Sequence, residues 1–221
     1  MADPRTTTPH LEQYYAKRAA VYEQVYDKPE RQHELEWLRH RVPEVLRGRT
    51  VLEVACGTGY WTQFIAREAA KVYACDINDA VLEIAREKPI PPARAQFFKA
   101  DAVTLEGAPA GCDAAFAGFW WSHVKKSDLA KFVQNLAAKL VPGAVVAILD
   151  NRYAEGSSTA ISRRDAEGNT YQIRHLPNGE EYEVLKNFPA PEELAEAVRP
   201  VARVAGLETV AYYWLMTFTT R

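Results

Sequence analysis

The stretch VLEVACGTGYW, Val51 to Trp61, decides how the rest of this chain is read. Val51 to Ala55 is a short apolar run with the β-branching of a buried strand. Gly57 and Gly59 follow, and they permit a tight turn and a close approach of backbone to a ligand. Residues 60–69 read as a helix, so the loop offers free N–H groups at a helix N-terminus. Strand, glycine loop and helix predict a nucleotide-type cradle at the carboxyl end of a strand. A dinucleotide fingerprint wants a third Gly or Ala where this chain has Thr62, and its pyrophosphate seeks the helix terminus. Here Glu53 stands four positions before Gly57. A carboxylate beside the loop suits a ligand with an ammonium group better than a pyrophosphate.

Reading outward, residues 71–76 form a second strand that ends in Asp76, 17 residues beyond Gly59. A carboxylate there can accept from both ribose hydroxyls, while Asn78 or Asp79 can cap the helix over 80–88. Residues 95–100 form a third strand, followed by Asp101 and Ala102, where Asp101 either caps a turn or meets a ligand. The fourth strand starts near Gly111 and exits through Phe119-Trp120-Trp121-Ser122-His123. Alternation sends one tryptophan to the core; the other walls the site, where an aromatic face can hold a sulfonium or stack on a planar substrate. Residues 144–149 are a buried fifth strand. Its exit, Asp150-Asn151-Arg152-Tyr153, must lie on the edge where the other strands end.

With these later acids in order, E-x-A-C-G-T-G resembles motif I of the class I S-adenosylmethionine-dependent methyltransferases. The resemblance covers residues 49–150 specifically and the flanks by plan. It implies an α/β fold: a Rossmann-like three-layer sandwich around a seven-stranded, mostly parallel sheet of order 3-2-1-4-5-7-6, with an N-terminal helical lid. It implies S-adenosylmethionine as cofactor and S-adenosylhomocysteine as product. Carried onto this chain, the cofactor residues are Glu53, Ala55, Gly57, Gly59 and Trp61 around the loop. Asp76 would hold the ribose, Ile77 the adenine face, and Asp101 with Ala102 the adenine edge. Phe119, and Tyr14 or Arg18 from the lid, would reach the methionine end. The acceptor side would take Tyr22, Trp120, Trp121, Asn151, Arg152 and Tyr153. If a base is used, His123 is the first choice and Asp150 the second. The Asn/Asp-Pro-Pro-Tyr motif of many amino-methylating enzymes is absent, which argues against nucleobase or glutamine methylation. The reaction implied is methyl transfer to an N or O atom of a small, planar acceptor.

The remaining chain frames this core. Residues 1–10 are polar and expected to be mobile. Residues 11–26 read as an amphipathic helix whose Tyr14, Arg18, Tyr22 and Tyr26 share a face; it either packs on the domain or covers the ligand. Residues 29–45 predict a second helix, and residues 128–140 a third with Ser127 as N-cap. Residues 169–188 predict a hairpin turning at Pro177-Asn178-Gly179, with Tyr171, Ile173 and His175 on one face. A helix over 191–204 and strand material over 206–219 close the chain. We expect one domain over 1–221: a lid (1–48), a cofactor-binding core (49–150) and a substrate-side region (151–221).

Composition limits the partners. Among 221 residues, 27 basic and 29 acidic side chains give a formal charge of −2, with no basic footprint for nucleic acid. Three cysteines without C-x-x-C spacing argue against a disulfide framework or a zinc site. The start lacks the apolar run of a signal peptide, and no stretch is long enough to span a membrane. The expectation is a cytoplasmic monomer or homodimer acting on a small molecule, without metal. Two rivals stand beside it: a nicotinamide-dependent oxidoreductase and a non-catalytic cofactor-binding module.

Overall fold

The first strand, β1 (Thr50–Val54), divides the core in two, because successive side chains point to opposite faces. Leu52 and Val54 enter one apolar layer with Trp121, Phe132, Ile148 and Met216. Val51 enters the other with Leu35, Leu38, Ile65, Phe116 and Leu215. All twelve are at most 1% exposed, and burying a side chain of this size contributes about 1.5–3 kcal/mol.

The computed structural model of the protein describes residues 8–221. The strands β2 (Lys71–Asp76), β3 (Ala95–Lys99), β4 (Cys112–Gly118) and β5 (Leu140–Asn151) pair in parallel with β1 at the centre. β9 (Ala202–Thr209) and β10 (Tyr213–Thr220) form a closing antiparallel pair, and β10 also runs antiparallel to β5. The order β3-β2-β1-β4-β5-β10-β9 is therefore the expected 3-2-1-4-5-7-6. Helices α2 (Gln32–Val45), α3 (Thr62–Glu68) and α4 (Asp79–Arg86) cover one face, and α5 (Leu129–Ala137) and α6 (Pro191–Val198) the other. This is the Rossmann-like three-layer sandwich. All five parallel strands end at one edge, which fixes where a ligand can sit. Among the described residues no helix is long and apolar enough to cross a membrane.

Several boundaries differ from the sequence reading. The mobility expected at the N-terminus lies outside the described residues up to position 7. The single helix expected over 11–26 is α1 (Thr8–Arg18) followed by a 3₁₀ segment, Ala19–Tyr26. Ser127 does not cap α5; it lies inside a 3₁₀ turn, Lys126–Asp128. Pro142 and Gly143 do not precede β5 but belong to it.

The hairpin, β7 (Thr170–His175) and β8 (Glu181–Leu185), gains a short third strand, β6 (Arg163–Arg164), and forms a separate sheet. Of the expected face, Tyr171 is buried, Ile173 half-buried and His175 exposed, while Thr170 and Gln172 of the opposite face are buried as well. The hairpin turns a polar face toward the molecule, because what it covers is a cavity rather than a core.

Candidate active site

The exits of β1 to β4, roofed by α1 and the 3₁₀ segment, enclose a cleft of about 750 Å³ including its mouth. Its floor is Ala55, Gly57, Asp76, Ile77, Asp101 and Ala102. Ala55 has φ +53° and Phe119, at the β4 exit, φ +61°. Two non-glycine residues in the left-handed region on neighbouring strand ends mark stored backbone strain, of the kind found at ligand sites. Gly57 has φ +56°, a conformation that favours glycine. Gly59 serves packing instead: a Cβ there would lie 3.1 Å from the Ala85 Cβ of α4.

Acids dominate this cleft. Asp76 accepts from the Gly57 N–H and the Asn78 N–H, each at 3.0 Å. Burial still holds its carboxyl above the usual range, with those N–H bonds opposing. Asp101 accepts from Val103 N–H at 2.9 Å and Thr104 N–H at 2.7 Å through one oxygen, so the other is spared for the cleft it lines. Glu12 completes the set, and among the described residues no lysine or arginine lines the cleft. Glu53 lies beneath the loop, 1% exposed, with Oε2 lacking a partner among the described residues. Burial raises its carboxyl from 4.5 to about 8, against a smaller opposing effect of Thr62. The roof is tied down by Asn78, whose Oδ1 caps α4 by accepting from Ala80 N–H and whose amide donates to the Glu12 carbonyl, both at 3.0 Å.

A second cavity, of about 1210 Å³ with its open side, lies between the N-terminal segment, the β5 exit and the hairpin. Its lining carries Arg18, Lys28, Arg31, Arg174 and Lys186, and among the described residues no carboxylate. Lys186 is 5% exposed and donates to Ser122 Oγ at 2.6 Å and Asp150 Oδ1 at 3.1 Å. Arg31 is 6% exposed and uses only neutral partners, Ser157 Oγ at 3.0 Å and Asn151 Oδ1 at 3.1 Å. Arg174 bonds Thr159 Oγ1 at 3.0 Å and Gln172 Oε1 at 2.6 Å.

The two cavities share four side chains: Tyr15, Tyr22, Phe119 and His123. His123 Nδ1 lies 2.7 Å from the Leu185 carbonyl, which can only accept, so the ring proton sits on Nδ1. Nε2 then accepts from the Tyr15 hydroxyl at 2.9 Å. Burial first, then the Lys186 ammonium, push His123 down to about 3, while Asp150 and the Leu185 carbonyl oppose. The imidazole is neutral at physiological pH. Burial raises Tyr15 well above the ordinary phenol value and Tyr22 to about 12, so both are protonated.

Several residues singled out from sequence lie elsewhere. Trp121 is 1% exposed and packs edge-on against Phe132 and Trp214, so it is core and not an acceptor wall. Trp120 lines the first cleft, not the second. Tyr153 is exposed against Phe188, and Arg152 caps the Val210 carbonyl; neither lines a cavity. Tyr14 and Arg18 face the second cavity rather than the first. Trp61 is buried among Tyr26, Tyr60 and Phe119. Asp150 is fully buried and cannot meet a substrate: it accepts from Ser122 N–H, Ser122 Oγ–H, Asn151 N–H and Lys186. Burial raises its carboxyl, but Lys186 and the N–H donors outweigh that, and it stays ionised. It is the counter-ion that positions Lys186.

Sequence reasoning missed Tyr15 as the hinge between the cavities, and Lys28, Arg31 and Lys186 as a cationic wall. One signal was present. Tyr182, Val184 and Lys186 share a strand phase and are all buried; a lysine in phase with a buried pair needs a partner or a ligand.

Comparison with known proteins agrees with this geometry. A family model described as a methyltransferase domain matches residues 51–143. The chain is 26% identical over 197 residues to a 2-phytyl-1,4-naphtoquinone methyltransferase of Thermosynechococcus vestitus, spanning 84% of this chain and 82% of that protein. It is 30% identical over 168 residues to a ubiquinone biosynthesis O-methyltransferase of Xylella fastidiosa, spanning 75% of this chain and 64% of that one. The solved structure of a DhpI-SAH complex superposes with a TM-score of 0.77 at 23% identity, over 95% of this chain and 94% of that one. Glycine loop, ordered acids, sheet order and relatives converge, and together they support a class I S-adenosylmethionine-dependent methyltransferase.

Proposed function

We propose that this enzyme methylates an O or N atom of a small molecule at the junction of its two cavities, the donor lying in the acid-lined cleft and the acceptor in the cationic one. The observation that carries this reading is the shared wall: Tyr15, Tyr22, Phe119 and His123 border both cavities. An atom there faces donor and acceptor at once. In this reading residues 1–48 act as lid, 49–150 hold the donor and 151–221 shape the acceptor side. The roof excludes water and admits small molecules, not a nucleic acid strand.

The residues present fit the donor. A buried carboxyl, Glu53, whose Oε2 has no partner among the described residues, lies under the loop, and the acids Asp76 and Asp101 each keep acceptor capacity toward the cleft. Asp76 would take the ribose hydroxyls, Ile77 and Ala102 the adenine, Asp101 its amino edge, and Glu53 with Ala55 and Gly57 the methionine end. When bound, S-adenosylmethionine supplies a methyl group on a sulfonium, which is a good leaving group. The protein's work is then to orient the pair and exclude water. Neutral His123 has its Nε2 lone pair on Tyr15. An acceptor hydroxyl or amine can donate to the Tyr15 oxygen, whose own proton Nε2 holds while the Leu185 carbonyl fixes the ring; with its ring held down to about 3, His123 orients this pair and does not store the proton. Phe119 and Tyr22 offer ring faces to a sulfonium.

The names of the relatives suggest a quinone-type acceptor as a second reading. Phe119, Tyr213 and Phe188 would give such a ring apolar contact. The test is calorimetric titration with S-adenosylhomocysteine, then transfer of labelled methyl to small hydroxylated and amino acceptors. Asp76→Ala should weaken S-adenosylhomocysteine by more than about tenfold, since a hydrogen bond to a charged group contributes about 1.5–3 kcal/mol. Unchanged affinity in a folded variant would remove the ribose assignment.

A further inference from the structure

The second cavity holds more positive charge than its own structure compensates. Of its five cations, only Lys186 has a carboxylate partner among the described residues, Asp150. Arg31 is more than nine-tenths buried, lines the cavity, and spends Nε and Nη1 on neutral oxygens. Arg174 is bonded only to a hydroxyl and an amide, Lys28 to the Ser157 carbonyl, and Arg18 to the Tyr14 hydroxyl at 2.7 Å. The chain as a whole is slightly acidic, so this is not a sample of its surface. Nor is it structurally cheap: buried charge is costly unless paired. Burial first, and then the Arg31 guanidinium, hold Lys28 below the ordinary lysine value. Lys186 is lowered too, by burial first and against Asp150, with Arg174 and Arg31 adding to the effect. One acid, Glu30, opposes the effect on Lys28, but it is exposed, lies off the cavity lining and accepts from Ser157 Oγ at 2.6 Å.

Building on the proposed methyl transfer, we propose that Arg31, Arg174, Lys28 and Lys186 form an anion subsite, and that the acceptor is a small molecule carrying a phospho or carboxylate group. Guanidinium forks pair with such oxyanions bidentately, and ammonium groups add point charge. Two donors of Lys186 are used, which leaves one N–H for the cavity. Ser158 and Thr159, also on the lining, can donate to further oxygens. The four cations outnumber the single charge of a carboxylate, so a tetrahedral dianion should bind more tightly. The acceptor's anion thus anchors it on the hairpin side and leaves its reacting atom at Tyr15 and His123. A long isoprenoid quinone offers no charge for this wall.

The test uses the full chain saturated with S-adenosylhomocysteine, titrated calorimetrically with inorganic phosphate and, separately, with acetate. Phosphate should bind at one saturable site, more tightly than acetate, and raise the melting temperature. Arg174→Gln, at a half-buried position with neutral partners, should weaken phosphate by at least about tenfold, one to two charged hydrogen bonds, and Arg31→Gln similarly. S-adenosylhomocysteine affinity should be unchanged in both. Tighter binding of acetate than phosphate would assign the subsite to carboxylates. Phosphate binding unaffected by both substitutions, or no saturable binding of either anion, would overturn the proposal while S-adenosylhomocysteine binding upholds the methyl-transfer reading. Failure of S-adenosylhomocysteine to bind the unaltered protein would instead strike that reading.

Discussion

The two cavities are opposites in charge and in origin. Among the described residues, the first is lined by Glu12, Asp76 and Asp101 without a cation, the second by five cations without a carboxylate. The first is built from four consecutive strand exits, within residues 55–123, and roofed by α1 and the 3₁₀ segment. The second joins residues 14–31 to residues 151–188 and 213, which meet only in the folded chain. A donor that is a sulfonium and an ammonium suits the acidic side; an anion suits the other. The difference teaches that one fold can hold ligands of opposite sign side by side if the wall between them is neutral. Tyr15, Tyr22, Phe119 and uncharged His123 are that wall.

The largest effect should come from breaking the cationic side. Lys186→Met leaves Asp150 buried and uncompensated, which should destabilise the fold by about 3–5 kcal/mol in urea denaturation. Adding Asp150→Asn should recover much of the loss. If the single variant is as stable as the parent, the pair is not the buried anchor described here.

Next comes the wall. His123→Ala removes the group that orients the Tyr15 hydroxyl and should lower kcat by about tenfold or more, with S-adenosylhomocysteine affinity retained. Equal turnover would show that the Tyr15–His123 pair does not orient the acceptor.

A pH-dependent effect belongs to the acidic side. Glu53 titrates near 8 in the ligand-free fold and near 4.5 when unfolded. The folded state therefore binds the extra proton between these values, and its stability falls as pH rises from about 4.5 to about 8. Glu53→Gln should remove this loss. Its melting temperature relative to the parent should rise between pH 5 and pH 8, by about 2–4 °C per kcal/mol, and donor affinity should fall. A difference independent of pH would contradict the burial described for this carboxylate.

Legibility followed the same division. The five parallel strands were readable because each is a local apolar run with a glycine or an acid at its exit, and parallel exits must share one edge; the order of the sheet came with the family resemblance. Asp76, Asp101 and the glycine loop were readable for that reason. Asp150 misled: a strand-exit acid looks like a base, but Lys186, 36 residues on, buries and neutralises it. The tryptophan pair misled because alternation says that one faces inward, not which. Arg31 sits in an ordinary charged helix start, and only the approach of Asn151 and Ser157 makes it buried. Lys186 follows Tyr182 and Val184 in strand phase, but its partner Asp150 lies 36 residues away and meets it only in the folded chain.

A crystal structure of the chain with S-adenosylhomocysteine bound tests the central claim most directly. The account predicts the ribose on Asp76 and the sulfur at the wall, within about 4 Å contact of side chains among Tyr15, Tyr22, Phe119 and His123, facing the cationic cavity. A ligand seated among Arg31, Arg174 and Lys186, or a sulfur turned away from that wall, would contradict it.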